Sequence, residues 1–284
     1  MNTYNYFNLR NKNYSNDINL LFPGWEGSGE KLAVFGAHDD DPLIGAGYAM
    51  TAAMENGAEV FAVIFCKGDC GYSDPSQKDT IVEIRRKENI DAFDSFGIKD
   101  QNIIRFEYPD FSLGQYIGHK LQNGEEGSLI KVLDFIRANG ITRVMLPNGY
   151  REHSDHTAAY QITMADIIQA GDAVVSDRGK IQKVKNYLQY SVWADFPYDD
   201  AIICGEKLPG IRANRAICCS EDVEKKVTLA LEKYTSQMAI IRDLIASRKE
   251  RLTSMGYLEL YIDLDPRPKL SYENYVSFIE NIVK

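Results

Sequence analysis

Histidine is scarce in this chain, with four among 284 residues, and cysteine is present but unorganised. Five cysteines is an odd number with no framework spacing, which excludes a disulfide-built scaffold and fits reduced thiols in a cytoplasm. Cys66 and Cys70 lack the paired CxxC partner of a structural zinc site, and Cys218 and Cys219, in RAICCS, read as packing in or beside a strand. All five are read as structural. Excess positive charge is missing too. A formal net charge of -9 leaves no basic stripe to neutralise phosphates, which argues against a nucleic-acid partner. No apolar run approaches the ~20 residues of a membrane span. The first thirty residues are rich in Asn and Tyr, without an apolar segment behind a basic start, so no signal peptide is expected. The expectation is a cytoplasmic protein with no membrane or nucleic-acid partner, and self-association into a homo-oligomer stays open.

What is present is an ordinary globular composition, 44% hydrophobic and 26% charged, over a length that suits one large α/β domain or two small ones. Residues 1–30 read as an arm packed on the domain, anchored by Phe22 and Trp25, and residues 31–284 as a single domain. Strands are expected at 31–36, 58–66, 102–108, 142–147 and 187–193, and helices at 42–56, 77–97, 124–139 and 156–170. That alternation implies a Rossmann-like, doubly wound, mostly parallel α/β sheet with helices on both faces. In the commonest order of such sheets, the first strand is central and the fourth lies beside it across the switch point, where ligands bind.

Three of the four histidines fall in the two loops this order brings together. AHDDDPLIG follows the first strand, with His38, Asp39, Asp40 and Asp41 ahead of Pro42 at a helix start; NGYREHSDH follows the fourth, with His153, Asp155 and His156. Taken singly, each loop reads as an acidic helix cap, with Ser154 or Asp155 as the second N-cap. Taken together, they read as a metal site. Zinc in a catalytic centre takes three protein ligands, usually His and carboxylate, and keeps a position for water. His38 and Asp41 are three apart, so one turn entering a helix aims both at a point, and His156 supplies the third ligand. Asp40 stands beside the ligands as general base, and His153, expected to be protonated, donates to an oxyanion or leaving amine. Asp155 orients His153 or caps the helix. Arg151 is a second donor or a plain surface charge, and His119 reads as a surface residue.

AHDDD…HSDH resembles the AHPDDE…HPDH signature of the PIG-L/LmbE family of zinc-dependent N-acetylglucosaminyl deacetylases. CKGDCG (66–71) looks like that family's TxGexG turn, EIRRKENIDAFDSFGI (83–98) like its RxxE helix, YPDFSL (108–113) like its Asp-bearing loop, and KVTLALEKYTSQ (226–237) like its KxxAlxxHxSQ helix. The resemblance implies one Zn²⁺ on His38, Asp41 and His156, Asp40 as base, His153 assisting the tetrahedral intermediate, and Arg85 and Asp110 holding sugar hydroxyls. Asp39 stands where the family has Pro, Pro42 replaces Glu, Ser154 replaces Pro, and Tyr234 replaces the helix His. Trp193, Phe196 and Tyr198 could stack on a sugar, though a core role is favoured for such clusters. The implied function is removal of acetyl from an N-acetylated amino-sugar conjugate. Alternatives are an amidase acting on another small amide, such as a thiol–sugar conjugate, and a non-catalytic metal-binding Rossmann module. A dinucleotide site is disfavoured, because GxGxxG is missing and three acids would repel a pyrophosphate.

Overall fold

A computed structural model describes residues 2–197 and 210–284; Cys204 and Tyr198 lie outside the described residues. Its strands are β1 (Tyr4–Asn8), β2 (Asn13–Ser15), β3 (Lys31–Gly36), β4 (Glu59–Cys66), β5 (Ile103–Tyr108), β6 (Arg143–Pro147), β7 (Asn186–Tyr190), β8 (Arg215–Cys219), β9 (Leu252–Thr253) and β10 (Gly256–Leu264). Its α-helices are α1 (Asp41–Glu55), α2 (Ile81–Phe96), α3 (Ser128–Asn139), α4 (Ser154–Gln169), α5 (Glu221–Leu231), α6 (Met238–Ser247) and α7 (Tyr272–Ile282).

The sheet runs β2-β1-β8-β10-β7-β6-β3-β4-β5, with β9 paired to β10. From β7 to β5 every neighbouring pair is parallel. Of these, β3, β4 and β6 are buried along most of their length because helices cover both faces, and their sequences are correspondingly apolar runs rather than alternations. On one face α1 packs with residues of α2, α5 and α6; on the other lie α3 and α4. The fold is therefore α/β, as the alternation implied, with β3 central and β6 directly beside it.

Beyond β7 the sheet turns antiparallel through β10, β8 and β1. Residues 1–30 thus supply two strands to one edge of the same sheet. Phe22 is fully buried and packs at 5.5 Å, ring tilted, against Trp25, and the Arg143 guanidinium sits 5.3 Å from the Trp25 ring while bonding Glu30. Three expected boundaries move by three residues or more. The 124–139 helix starts at Ser128, after Gly127. The 77–97 helix starts at Ile81, because Pro75–Gln77 forms a separate 3-10 turn capped by Asp74. The 187–193 strand stops at Tyr190, because the backbone of 192–194 turns to face a carboxylate of another loop.

Two glycines make the site's surroundings possible. A Cβ on Gly36 would lie 2.8 Å from Pro42 Cδ, so only glycine lets β3 turn this tightly into α1. A Cβ on Gly45 would lie 2.5 Å from the Ser191 carbonyl, so α1 approaches the end of β7 backbone to backbone.

Candidate metal centre

The loops after β3 and β6 leave the sheet at its switch point and meet above its carboxyl edge. There His38 Nδ1 lies 3.2 Å from His156 Nε2, His156 Nε2 lies 3.3 Å from Asp41 Oδ2, and His38 Nδ1 lies 3.8 Å from the same oxygen. A tetrahedral ion with bonds of about 2.1 Å needs donor atoms roughly 3.4 Å apart. The three edges match that requirement, and two imidazoles with one carboxylate are a donor set suited to zinc.

Each imidazole is turned so that one ring nitrogen faces this triangle. His156 Nδ1 contacts Glu152 Oε2 at 2.5 Å, and His38 Nε2 lies 3.5 Å from Asp155 Oδ2. A carboxylate at the far nitrogen holds the proton there and frees the near nitrogen to coordinate. Asp41 is itself fixed by the His38 backbone N–H at 2.8 Å. Burial disfavours charge on His156, yet Asp41 and Glu152 outweigh it and push its pKa up to about 10. Burial also opposes a charge on His38, and Asp155 and Asp41 raise it. The pocket is built to hold positive charge.

Other groupings of ligand-type side chains occur here, but their lone pairs are committed. Asp110 accepts the N–H groups of Gly68 and Cys70 at 2.9 and 3.0 Å, and burial pushes the Cys66 thiol well up, so it stays protonated. Asp155 accepts the N–H groups of Phe111 and Leu113 at 2.6 and 3.2 Å, and His153 Nδ1 accepts that of Asp155 at 3.1 Å.

That last bond makes His153 the N-cap of α4, a position expected for Ser154 or Asp155. It also corrects the expected charge of His153. Burial first, then His38, lowers its pKa below the usual imidazole value, and a ring whose Nδ1 accepts a hydrogen bond carries its proton on Nε2 when neutral. The Phe111 ring, largely exposed, lies 4.2 Å from the His153 ring. Phe111 is held at φ +58, a left-handed backbone unusual for an aromatic residue.

Asp40 occupies the N-cap position of α1, but its side chain makes no capping hydrogen bond, so its carboxylate is left for other work. Burial raises its pKa, Arg85 opposes that rise, and Asp41 adds to it. Arg85 lies 3.8 Å from Asp40 through Nη2 and bonds Asp39 through Nε at 2.9 Å. Asp39, in the position of the family proline, is 1% exposed and accepts from Arg105 as well. Arg85 is thus a buried member of a charge network, with one contact to Asp40.

Asp110 clamps the 67–71 turn, and Asp69 accepts the Asp110 N–H in return at 2.8 Å. Arg151 is exposed at φ +53, its guanidinium 5.2 Å from the Tyr150 ring. His119 is exposed. Phe196 is buried as favoured, whereas Trp193 is 53% exposed and not a core residue. Tyr234 donates through its hydroxyl to the Asp39 carbonyl at 2.8 Å, so the tyrosine in place of the helix histidine braces the first loop. Sequence reasoning missed Glu152, Asp39 as an arginine acceptor, and Arg105. The spacing of Glu152, one helical turn before His156, was the available signal.

Searches of protein families and known structures agree with this architecture. The family described as PIG-L: GlcNAc-PI de-N-acetylase matches residues 33–167. No curated protein matches the chain by sequence. Among solved structures, the N,N'-diacetylchitobiose deacetylase of Pyrococcus horikoshii is similar with a TM-score of 0.61, at 16% identity and 84% coverage of either chain. A conserved protein of Thermus thermophilus has a TM-score of 0.62 at 20% identity, over 85% of this chain and 97% of that one. The 4-carboxy-2-hydroxymuconate hydratase GalB of Pseudomonas putida has a TM-score of 0.61 at 16% identity, over 85% and 99%. At such identities the likeness speaks to the fold. The family likeness rests on the matched segment, residues 33–167, which carries His38, Asp41, His153 and His156.

Proposed function

We propose that the chain is a metal-dependent N-deacetylase, with zinc as the suited ion, acting on an N-acetylated amino-sugar conjugate. The observation that carries the reading is the His38–Asp41–His156 triangle beside an uncommitted Asp40 carboxylate. The family match supports the acyl chemistry, and a related fold acts on diacetylchitobiose. Fold alone does not carry it, since a hydratase shares the architecture.

His38, Asp41 and His156 would hold the ion. When bound, it supplies Lewis acidity, polarising the amide carbonyl and making a water acidic enough to attack near neutral pH. The protein's own groups do the rest. Asp40 accepts the proton from the attacking water; burial raises its pKa and makes it a better base, a rise that the Arg85 charge opposes. His153, with its proton on Nε2, donates to the developing oxyanion or to the leaving amine. Asp155 holds His38 in place and, through the N–H groups of Phe111 and Leu113, fixes the wall of the site. Arg85, Asp110 and Arg151 remain candidates for substrate contact. Arg85 and Asp110 act at least through the loops they hold. No described helix is long and apolar enough to cross a membrane. The test is metal analysis of the purified protein combined with amine release from a panel of N-acetyl sugars. Absence of amine release by metal-replete protein across the panel, with a hydration product from an enoate panel instead, would replace this reading.

A further inference from the structure

Glu152 is the one carboxylate in the β6–α4 loop whose two oxygens serve different parts of the molecule. Oε2 lies 2.5 Å from His156 Nδ1. Oε1 faces the backbone N–H groups of Val192, Trp193 and Ala194 at 3.3, 3.2 and 3.1 Å, with Asn148 Nδ2 at 3.3 Å and Ser191 Oγ at 3.4 Å. These donors outnumber the two lone pairs of one oxygen, so the bonds are shared and long, the pattern of an anion seated in a nest of backbone amides. The Glu152 side chain is fully buried. A buried carboxylate without these donors would be costly to keep, so loop and carboxylate stabilise each other.

The segment so gathered follows β7 at the same edge of the sheet as the metal centre. Asn148 N–H donates to the Tyr190 carbonyl at 2.7 Å, which joins the end of β7 to the loop that carries Glu152. At its tip Trp193 stands 53% exposed, a large flat apolar ring beside a polar site. An exposed indole there suits the apolar face of a pyranose or an aromatic aglycone, beyond the acyl group that the metal chemistry addresses.

We propose that Glu152 is a positioning residue that links the set of the His156 ring to the order of residues 191–194, so that metal loading and presentation of Trp193 support one another. The proposal rests on the reading of His156 as a metal ligand. With Nδ1–H bonded to Glu152, the Nε2 lone pair points at His38 and Asp41. An amide in place of the carboxylate cannot accept on both sides at once. If its oxygen keeps the 192–194 amides, its NH₂ meets His156 Nδ1, and the ring must move its proton to Nε2, where it blocks coordination. If the oxygen keeps His156 instead, the three backbone donors lose their acceptor. Linkage is reciprocal, so whatever holds the loop also helps to hold the metal.

The experiment compares Glu152→Gln and Glu152→Asp with the parent chain in a Trp25→Phe background, which leaves Trp193 as the only indole. Zn²⁺ affinity is measured by competition with a chelator, and hydrogen exchange is followed at residues 192–194 with and without Zn²⁺. The expected result is a roughly 10–100-fold loss of Zn²⁺ affinity in Glu152→Gln. Exchange at 192–194 should be faster in that variant even without metal, and Zn²⁺ should slow exchange there, and shift Trp193 emission, only in the parent. Glu152→Asp, which keeps the charge, should recover part of both. Exchange in β3 and β4 serves as the check that each variant is folded. Unchanged affinity in Glu152→Gln, or unchanged exchange at 192–194, overturns the proposal. A parent chain that binds no Zn²⁺ at all overturns the metal reading itself, and that failure is visible without any variant.

Discussion

His38 Nδ1 and His156 Nε2, 118 positions apart in the chain, face each other at 3.2 Å with the Asp41 carboxylate between them. Two imidazole nitrogens this close are held together by a shared proton or by a metal ion, and the carboxylate beside them favours the ion. The account therefore expects about one Zn²⁺ per chain in purified protein, and none in His156→Ala. Zn²⁺ at about 100 times its dissociation constant should stabilise the folded chain by about 2.7 kcal/mol. Elemental analysis and thermal melts with and without metal check both. A His156→Ala chain with full metal occupancy would move the ligand set elsewhere.

His153 is expected to affect turnover rather than binding. Its Nδ1 is occupied as the α4 cap, so only Nε2 remains for the substrate. His153→Ala should lower kcat by about 10²–10³-fold with a modest change in KM, as for loss of one oxyanion donor. Arg151, exposed and resting on Tyr150, should matter less. Steady-state kinetics on both variants decide; a larger loss in Arg151→Ala would exchange their roles.

Asp39 is the only carboxylate bonded to both Arg85 and Arg105 among the described residues. Asp39→Asn leaves two buried guanidiniums without their shared counter-charge, a change that costs about 3–5 kcal/mol when one partner of a buried pair is removed. Denaturant unfolding measures it. A change under about 1 kcal/mol, the scale of an exposed pair, would show the network to be solvated.

Two buried carboxylates far from the metal centre predict opposite pH effects. Burial raises Asp166 to about 6, against a weaker opposing bond from Ser128. Its folded pKa is above the unfolded one, so protonation favours folding, and stability is lost as pH rises from about 4 through about 6. Asp166→Asn should therefore be more stable than the parent at pH 7, by on the order of 2–3 kcal/mol, and nearly equal to it at low pH. Burial pushes Glu30 up as well, but Arg143 and Thr142 pull harder and bring it down to about 2. Its contribution is present at neutral pH and disappears as pH falls from the ordinary glutamate range toward 2. Glu30→Gln should be destabilised at pH 7 and should narrow its gap to the parent in acid. Melts across pH 3–8 read both signs, and a parallel pH dependence in parent and variant would remove either assignment.

The centre of the fold was legible because parallel strands buried on both faces are written as apolar runs. KLAVFG gave β3 to the residue. The meeting of the two histidine loops followed from topology alone, since β6 had to lie beside β3. The antiparallel extension was harder to read. β8 is five residues long and fully buried, yet begins with Arg215, whose charge is met by Asp263 from a strand 48 positions away. Glu152, Asp39 and Arg105 were hidden for a related reason. A charged residue in a charged stretch reads as solvated until its partner, distant in sequence, is located. Trp193 escaped because an aromatic next to a strand end looks like core, and only the turn around Glu152 exposes it.

The central claim is that Asp40 is the base beside a metal held by other residues. It is tested most directly by acetate and amine release from an N-acetyl amino sugar, with Asp40→Asn and the parent chain at equal, measured metal content. Asp40 caps α1 through its backbone but not its side chain, so the variant should fold and load metal normally. The account predicts unchanged occupancy and a roughly 10²–10⁴-fold fall in kcat. Near-normal release from metal-replete Asp40→Asn would contradict it and give the proton transfer to another group.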